Sequence, residues 1–128
     1  MDLLLDTCTF LWLAQQPGSI SESAVRAIDD PENVLYLSEA SLLEIVMKHR
    51  VGRLPLPDLP RRWITQKLEY HRIEPLSIES ESIYLSGEIR NEHSDPFDRL
   101  IVARAIAGNL TIVSPDAALS LLGAARLW

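Results

Sequence analysis

Apolar and polar residues fall in blocks along the chain, and the period of each block predicts its element. Leu3-Leu4-Leu5 is a continuous apolar run, as a strand buried on both faces requires, and it stops at Asp6-Thr7. Phe10 to Ala14 reads as helix until Pro17-Gly18 breaks it. Ser21 is placed to cap a second helix carrying Ala24, Val25, Ala27 and Ile28, ending near Asp30-Pro31. Val34 to Leu37 is a second strand. Ser38 or Ser41 caps the next helix, which runs through Leu42, Leu43, Ile45, Val46 and Met47 to Gly52.

Leu54-Pro55-Leu56-Pro57 is an extended connector, because each proline disfavours helix in the residue before it. Leu59 to Tyr70 is helical, Ile73 to Leu76 a short strand, and Ser77 the cap of a helix with Ile78, Ile83, Leu85 and Ile89. Asp95-Pro96 then opens a long Ala-rich helix, with aspartate at the cap and proline at the first helical position, and Gly108 is its expected stop. Leu110 to Val113 is a third clear strand, Ser114-Pro115-Asp116 a turn, and Ala117 to Leu122 a short helix. Ala125, Leu127 and Trp128 close the chain as an edge strand. Strands alternating with helices predict an α/β layer fold with a mostly parallel sheet.

Ligands of such sheets bind outside the carboxyl ends of the strands, which makes the acids informative. Asp6 follows the first strand directly, and Asp116 follows the strand ending at Val113. Glu44 lies inside an apolar run, so it is partly buried; a Ser41-x-x-Glu44 capping box would also explain it. Asp98 sits in the first turn of the long helix, where it also suits the helix dipole. Asp95 is explained as a cap, and Asp116 taken alone as a turn residue. Four carboxylates brought to one edge repel one another, and each desolvated charge is costly. A divalent cation removes that cost. Oxygen ligands suit Mg²⁺ or Mn²⁺, and no His/Cys spacing suggests zinc.

Composition narrows the classes. A chain of 128 residues, 47% hydrophobic and 23% charged, is an ordinary globular protein of one domain, residues 1–128. A single cysteine excludes an internal disulfide and fits a reducing, cytoplasmic setting. No secretory signal and no stretch of membrane-spanning length is visible, so no membrane partner is expected. The net charge is −6, yet Lys48 to Arg72 holds seven basic residues against Asp58 and Glu69, a local +5 that leaves −11 elsewhere. A basic lobe beside an acidic site suits an enzyme acting on a polyanion, although two solvated helix faces would look the same.

The order and spacing of four blocks resemble the PIN-domain ribonucleases of the VapC type, toxins of bacterial toxin–antitoxin pairs. The blocks are Leu3-Leu4-Leu5-Asp6-Thr7 with Phe10-Leu11-Trp12; Ser38 to Ile45 running into Lys48 and Gly52-Arg53-Leu54-Pro55-Leu56-Pro57; His93 to Ala103; and Leu110 to Asp116. Departures are Cys8 where relatives often have His, Leu43 where they have Trp, and Ser114-Pro115 where a Thr-led pair precedes the last acid.

The resemblance implies a PIN-like three-layer α/β/α fold and an endoribonuclease toxin that cuts single-stranded regions of RNA with metal-activated water. It implies Asp6, Glu44, Asp98 and Asp116 as ligands of Mg²⁺ (or Mn²⁺), with Thr7 and Ser114 hydrogen-bonding the carboxylates and Asp95 capping and shaping the site. Arg99 and His93 would touch RNA, or else lie along the helix and in a solvated loop. A cognate antitoxin would bind a groove formed by Trp12, Leu13, Trp63, Ile64 and Leu68, and the chain would form a homodimer. Two other readings compete. A phospho-accepting receiver-like domain needs a lysine after a late strand, and none follows Lys67. A PIN-fold binding module that no longer cleaves would keep the partner surface alone.

Overall fold

The computed structural model describes residues 1–128. Five strands form one sheet in the order β3-β2-β1-β4-β5, and every pairing is parallel. They are β1 (Asp2–Leu5), β2 (Val34–Ser38), β3 (Ile73–Leu76), β4 (Thr111–Val113) and β5 (Arg126–Leu127). The helices are α1 (Thr7–Gln15), α2 (Glu22–Asp29), α3 (Glu39–Arg50), α4 (Pro60–Tyr70), α5 (Ser80–Glu88), α6 (Pro96–Gly108) and α7 (Ala118–Leu121).

The all-apolar run of β1 has a simple cause. It is the central strand, with Leu3, Leu4 and Leu5 each fully buried, and its neighbours stand in register as Leu5↔Leu37 and Leu5↔Val113. Leu3 and Leu5 face one layer, where Phe10, Ala24, Ile45, Trp63 and Ile64 pack. Leu4 faces the other, against Ile101, Val102, Ala105 and Leu119. Side chains alternate across a strand, so three consecutive leucines feed two cores at roughly 1.5–3 kcal/mol each. The expected three-layer α/β/α architecture is what forms. Strand order grows from β1 toward β3 on one side and from β1 to β4 and β5 on the other. The boundary between β1 and β4 is therefore the topological switch point, where α/β sheets open a crevice for ligands.

Two local expectations are corrected, and one open alternative is decided. Gly108 is still helical, and the left-handed stop is Asn109 (φ 54°, ψ 46°), a residue whose short polar side chain tolerates that region. Ser77 caps nothing: α5 starts at Ser80 with Glu79 at its cap position and no side-chain cap, while Ile78 anchors the preceding segment to the core. Ser38, not Ser41, caps α3, accepting from Ala40 N at 3.0 Å. Ser41 lies one turn inside, which removes the capping-box explanation of Glu44.

Candidate active site

Asp6 is built by two elements at once. Its backbone N–H donates to Val113 O (3.2 Å), extending the β1–β4 ladder, while its side chain caps α1 by accepting from Thr9 N at 2.8 Å. The other carboxylate oxygen accepts from Ser114 Oγ at 2.5 Å, the residue directly after β4. Ser114 is held in turn, because its carbonyl accepts from Arg126 Nη1 and its own N–H donates to Leu127 O. Asp6 is only 6% exposed, and burial pushes its carboxyl above the usual range. The Ser114 and Thr9 hydrogen bonds pull back, and the nearby Asp116 charge raises it further.

Glu44 comes from α3. Thr7 Oγ1 donates to Ser41 Oγ at 2.9 Å, tying the first turn of α1 to α3. Ser41, Glu44 and Lys48 follow at helical spacing on one face, so this tie turns Glu44 toward the acidic edge. Thr7 thus braces the two helices and touches no carboxylate, unlike the expectation. Glu44 is 7% exposed and bound by Lys48 Nζ at 2.5 Å.

Asp98 comes from α6, and Asp95 caps that helix as expected, accepting from Phe97 N (2.9 Å) and Asp98 N (3.2 Å). Burial raises the Asp98 carboxyl, His93 opposes the shift, and the charges of Asp95 and Glu44 add to it. His93 is not a solvated loop residue, since its Nε2 lies 2.9 Å from Asp98 Oδ2. Arg99 is not available to RNA. Its guanidinium donates to the carbonyls of Ser86, Ile89, Asn91 and His93, holding the loop between α5 and α6 from within. Asp116 is the most exposed of the acids, and one of its oxygens accepts from Ala118 N at the start of α7.

The charges of these acids act in two groups, and Cys8 feels a member of each. Asp116 acts on Asp6, Glu44 and Asp95 act on Asp98, and both Asp6 and Glu44 act on Cys8. Burial and those two charges push the Cys8 thiol up to about 11, so it is an inert thiol here. Lys48 is the residue that sequence reasoning missed in this site. The Glu44 hydrogen bond raises its ammonium above the ordinary lysine value, and the charges of Asp95 and Asp98 add to this. Its position four residues after Glu44 was the available signal.

A cluster of desolvated carboxylates fits a hard divalent cation in donor chemistry. As the side chains lie, no three His, Cys, Asp or Glu residues form a metal cage. Glu44 is turned to Lys48 and Asp98 to His93 instead.

The five residues expected to form a partner groove separate into two groups. Ile64 and Leu68 of α4, with Leu42 and Val46 of α3, line an open apolar groove of about 590 Å³. Trp63 is corrected to a core residue, 4% exposed and edge-on to Phe10. Trp12 lies against Trp128 (centroids 5.8 Å apart), and Leu13 also packs on the core, both outside that groove. No helix is long and apolar enough to cross a membrane.

By sequence the chain matches no curated protein. Among solved structures, its fold is similar to VapBC2 from Rickettsia felis bound to a promoter DNA fragment, with TM-score 0.73 and 18% identity over 99% of this chain and 98% of that one. VapBC-1 from nontypeable Haemophilus influenzae gives TM-score 0.69 and 17% identity, covering 99% and 97%. FitAcB from Neisseria gonorrhoeae gives TM-score 0.58 and 20% identity, covering 98% and 96%. These identities speak for the fold. The parallel sheet with its switch point and a match to the PIN domain over residues 3–124 agree, and the chain belongs to the PIN domain family.

Proposed function

We propose that this single PIN domain is a metal-dependent endoribonuclease of the VapC type, a toxin that cuts single-stranded regions of RNA and is restrained by a cognate antitoxin. PIN domains of this kind are generally nucleases, and one of the similar structures is a member of the VapBC family of toxin–antitoxin systems from Mycobacterium tuberculosis. The observation that carries the reading is Asp6. A buried carboxylate at the end of the central strand, braced by Ser114 and close to the charge of Asp116, costs stability, and such desolvated acids cluster at functional sites.

In this reading Asp6, Glu44 and Asp98 would hold Mg²⁺ or Mn²⁺, with Asp116 completing the set. Such a cation would supply a Lewis acid to activate water for in-line attack on phosphorus and to offset charge on the leaving oxygen. The chain's own residues orient the acids. Ser114 and Thr9 fix the Asp6 carboxylate from two sides, Asp95 sets the first turn beneath Asp98, and the Thr7–Ser41 bond aims Glu44. The groove lined by Ile64 and Leu68 receives the antitoxin, and the protein works as a cytoplasmic homodimer.

A second reading, a PIN-fold binding module that no longer cleaves, draws on the exposure of Asp116 and its bond to Ala118 N. Purified chain is incubated with labelled transfer RNA and messenger RNA, with Mg²⁺ or Mn²⁺ and with EDTA, beside Asp6→Asn. Metal-dependent cutting that is absent in the variant is the expected result. A folded, antitoxin-free chain that neither cuts RNA nor takes up Mn²⁺ in a calorimetric titration overturns the nuclease reading in favour of the binding module.

A further inference from the structure

An acidic edge that receives RNA must attract a phosphodiester against its own charge, so the cations bordering it deserve inspection. Four side chains qualify. The Arg99 guanidinium is engaged by four carbonyls. Arg126 is turned to Ser114 O and Ser120 Oγ. His93 faces Asp98 through Nε2. Lys48 differs. Its side chain is 49% exposed, and its Nζ makes one hydrogen bond, to the nearly buried Glu44. An ammonium has three donors, so two remain for a ligand in the solvent-facing half. The same ammonium sits on Glu44, one of the acids of that edge, on the face of α3 whose Ser41 is tied to α1. Arg50 and Arg53, both exposed, extend the positive charge from it along the end of α3 and the loop beyond.

We propose that Lys48 is a substrate-contacting catalytic residue whose Nζ donates to a non-bridging oxygen of the RNA phosphodiester at the acidic edge. The inference rests on the nuclease reading above. Lysine is a compact point charge that serves phosphate without the two-pronged geometry of arginine. A preorganised cation beside the reacting phosphate acts most when charge builds on its oxygens.

The test uses the full chain with Lys48→Met and Lys48→Arg, each matched to wild type in thermal melting. Three quantities are read: kcat/KM on transfer RNA with Mn²⁺, the salt dependence of oligouridylate binding in EDTA, and Mn²⁺ affinity by calorimetry. Lys48→Met is expected to lose about 100-fold or more in kcat/KM. Its salt slope should flatten by about 0.7, the share of one phosphate contact on a single strand. Lys48→Arg should keep the slope. Mn²⁺ affinity should stay equal or rise, because a competing cation has left Glu44. Wild-type activity and slope in Lys48→Met overturn the proposal. So does lost activity with an unchanged slope and weakened Mn²⁺ binding, which would make Lys48 a prop for Glu44. Failure of the wild-type chain to cut RNA strikes the nuclease reading itself and is seen before any variant is made.

Discussion

Arg99→Met is expected to destabilise the protein more than any other single change on the surface of α6. The guanidinium donates to Ser86 O at 2.8 Å, Asn91 O at 3.1 Å and His93 O at 2.7 Å, and also to Ile89 O. A hydrogen bond from a charged donor contributes about 1.5–3 kcal/mol, so four would sum to far more than one side chain delivers. Two facts reduce the figure. The Asn91 bond is exposed, and carbonyls of a surface loop can turn to water once released. A net loss of about 2–4 kcal/mol remains, since the loop has few other anchors. For a chain of this size that is a fall of about 10 °C in melting temperature.

Urea unfolding followed by tryptophan fluorescence measures the loss. Amide exchange of residues 89–95 locates it, because this loop should open well before the sheet does. Arg99→Lys should recover less than half, as one ammonium cannot reach carbonyls spread from Ser86 to His93. The reasoning is refuted if Arg99→Met stays within about 0.5 kcal/mol of wild type, the range of an ordinary surface change, or if lysine restores full stability.

Other expectations follow from the same geometry. Asp6→Asn keeps the cap to Thr9 and removes a desolvated charge, so without divalent metal it should gain about 0.5–2 kcal/mol at neutral pH while cleavage is lost; lower stability in urea would contradict this. Burial raises the folded-state carboxyls of Asp6 and Asp98 above the ordinary aspartate range, so the folded protein binds their protons more tightly. In EDTA their contribution to stability therefore rises as pH falls through the raised values and is complete below the unfolded one. Comparing wild type with Asp6→Asn across that window cancels the remaining carboxylates, and a difference that does not shrink on acidification sinks the assignment. Asn109→Ala should cost about 1–2 kcal/mol through its left-handed backbone, with Asn109→Gly near neutral; equal melting of all three would show that the position is relaxed.

The acids were legible in the sequence because each sits beside a local marker. Asp6 ends an all-leucine strand, Asp95 precedes a proline at a helix start, and Glu44 interrupts an apolar helix. Such markers are read over a few residues, and the backbone carries the side chain to its place. The cations were not legible for the opposite reason. Arg99 stands one residue after Asp98, yet its guanidinium reaches back across the loop to carbonyls as far as thirteen residues away. Its role depends on how α5 packs on α6, which no local pattern states. Trp63 follows the same logic. It stands beside Arg61 and Arg62 in the sequence, yet α4 turns it onto Phe10, while Ile64 and Leu68 line the groove. His93 and Lys48 are the exception, since each pairs with a carboxylate of its own segment, five and four residues away. What a long, flexible side chain does in this fold is settled by the layer packed against it, and a short carboxylate at a strand end is settled by the strand.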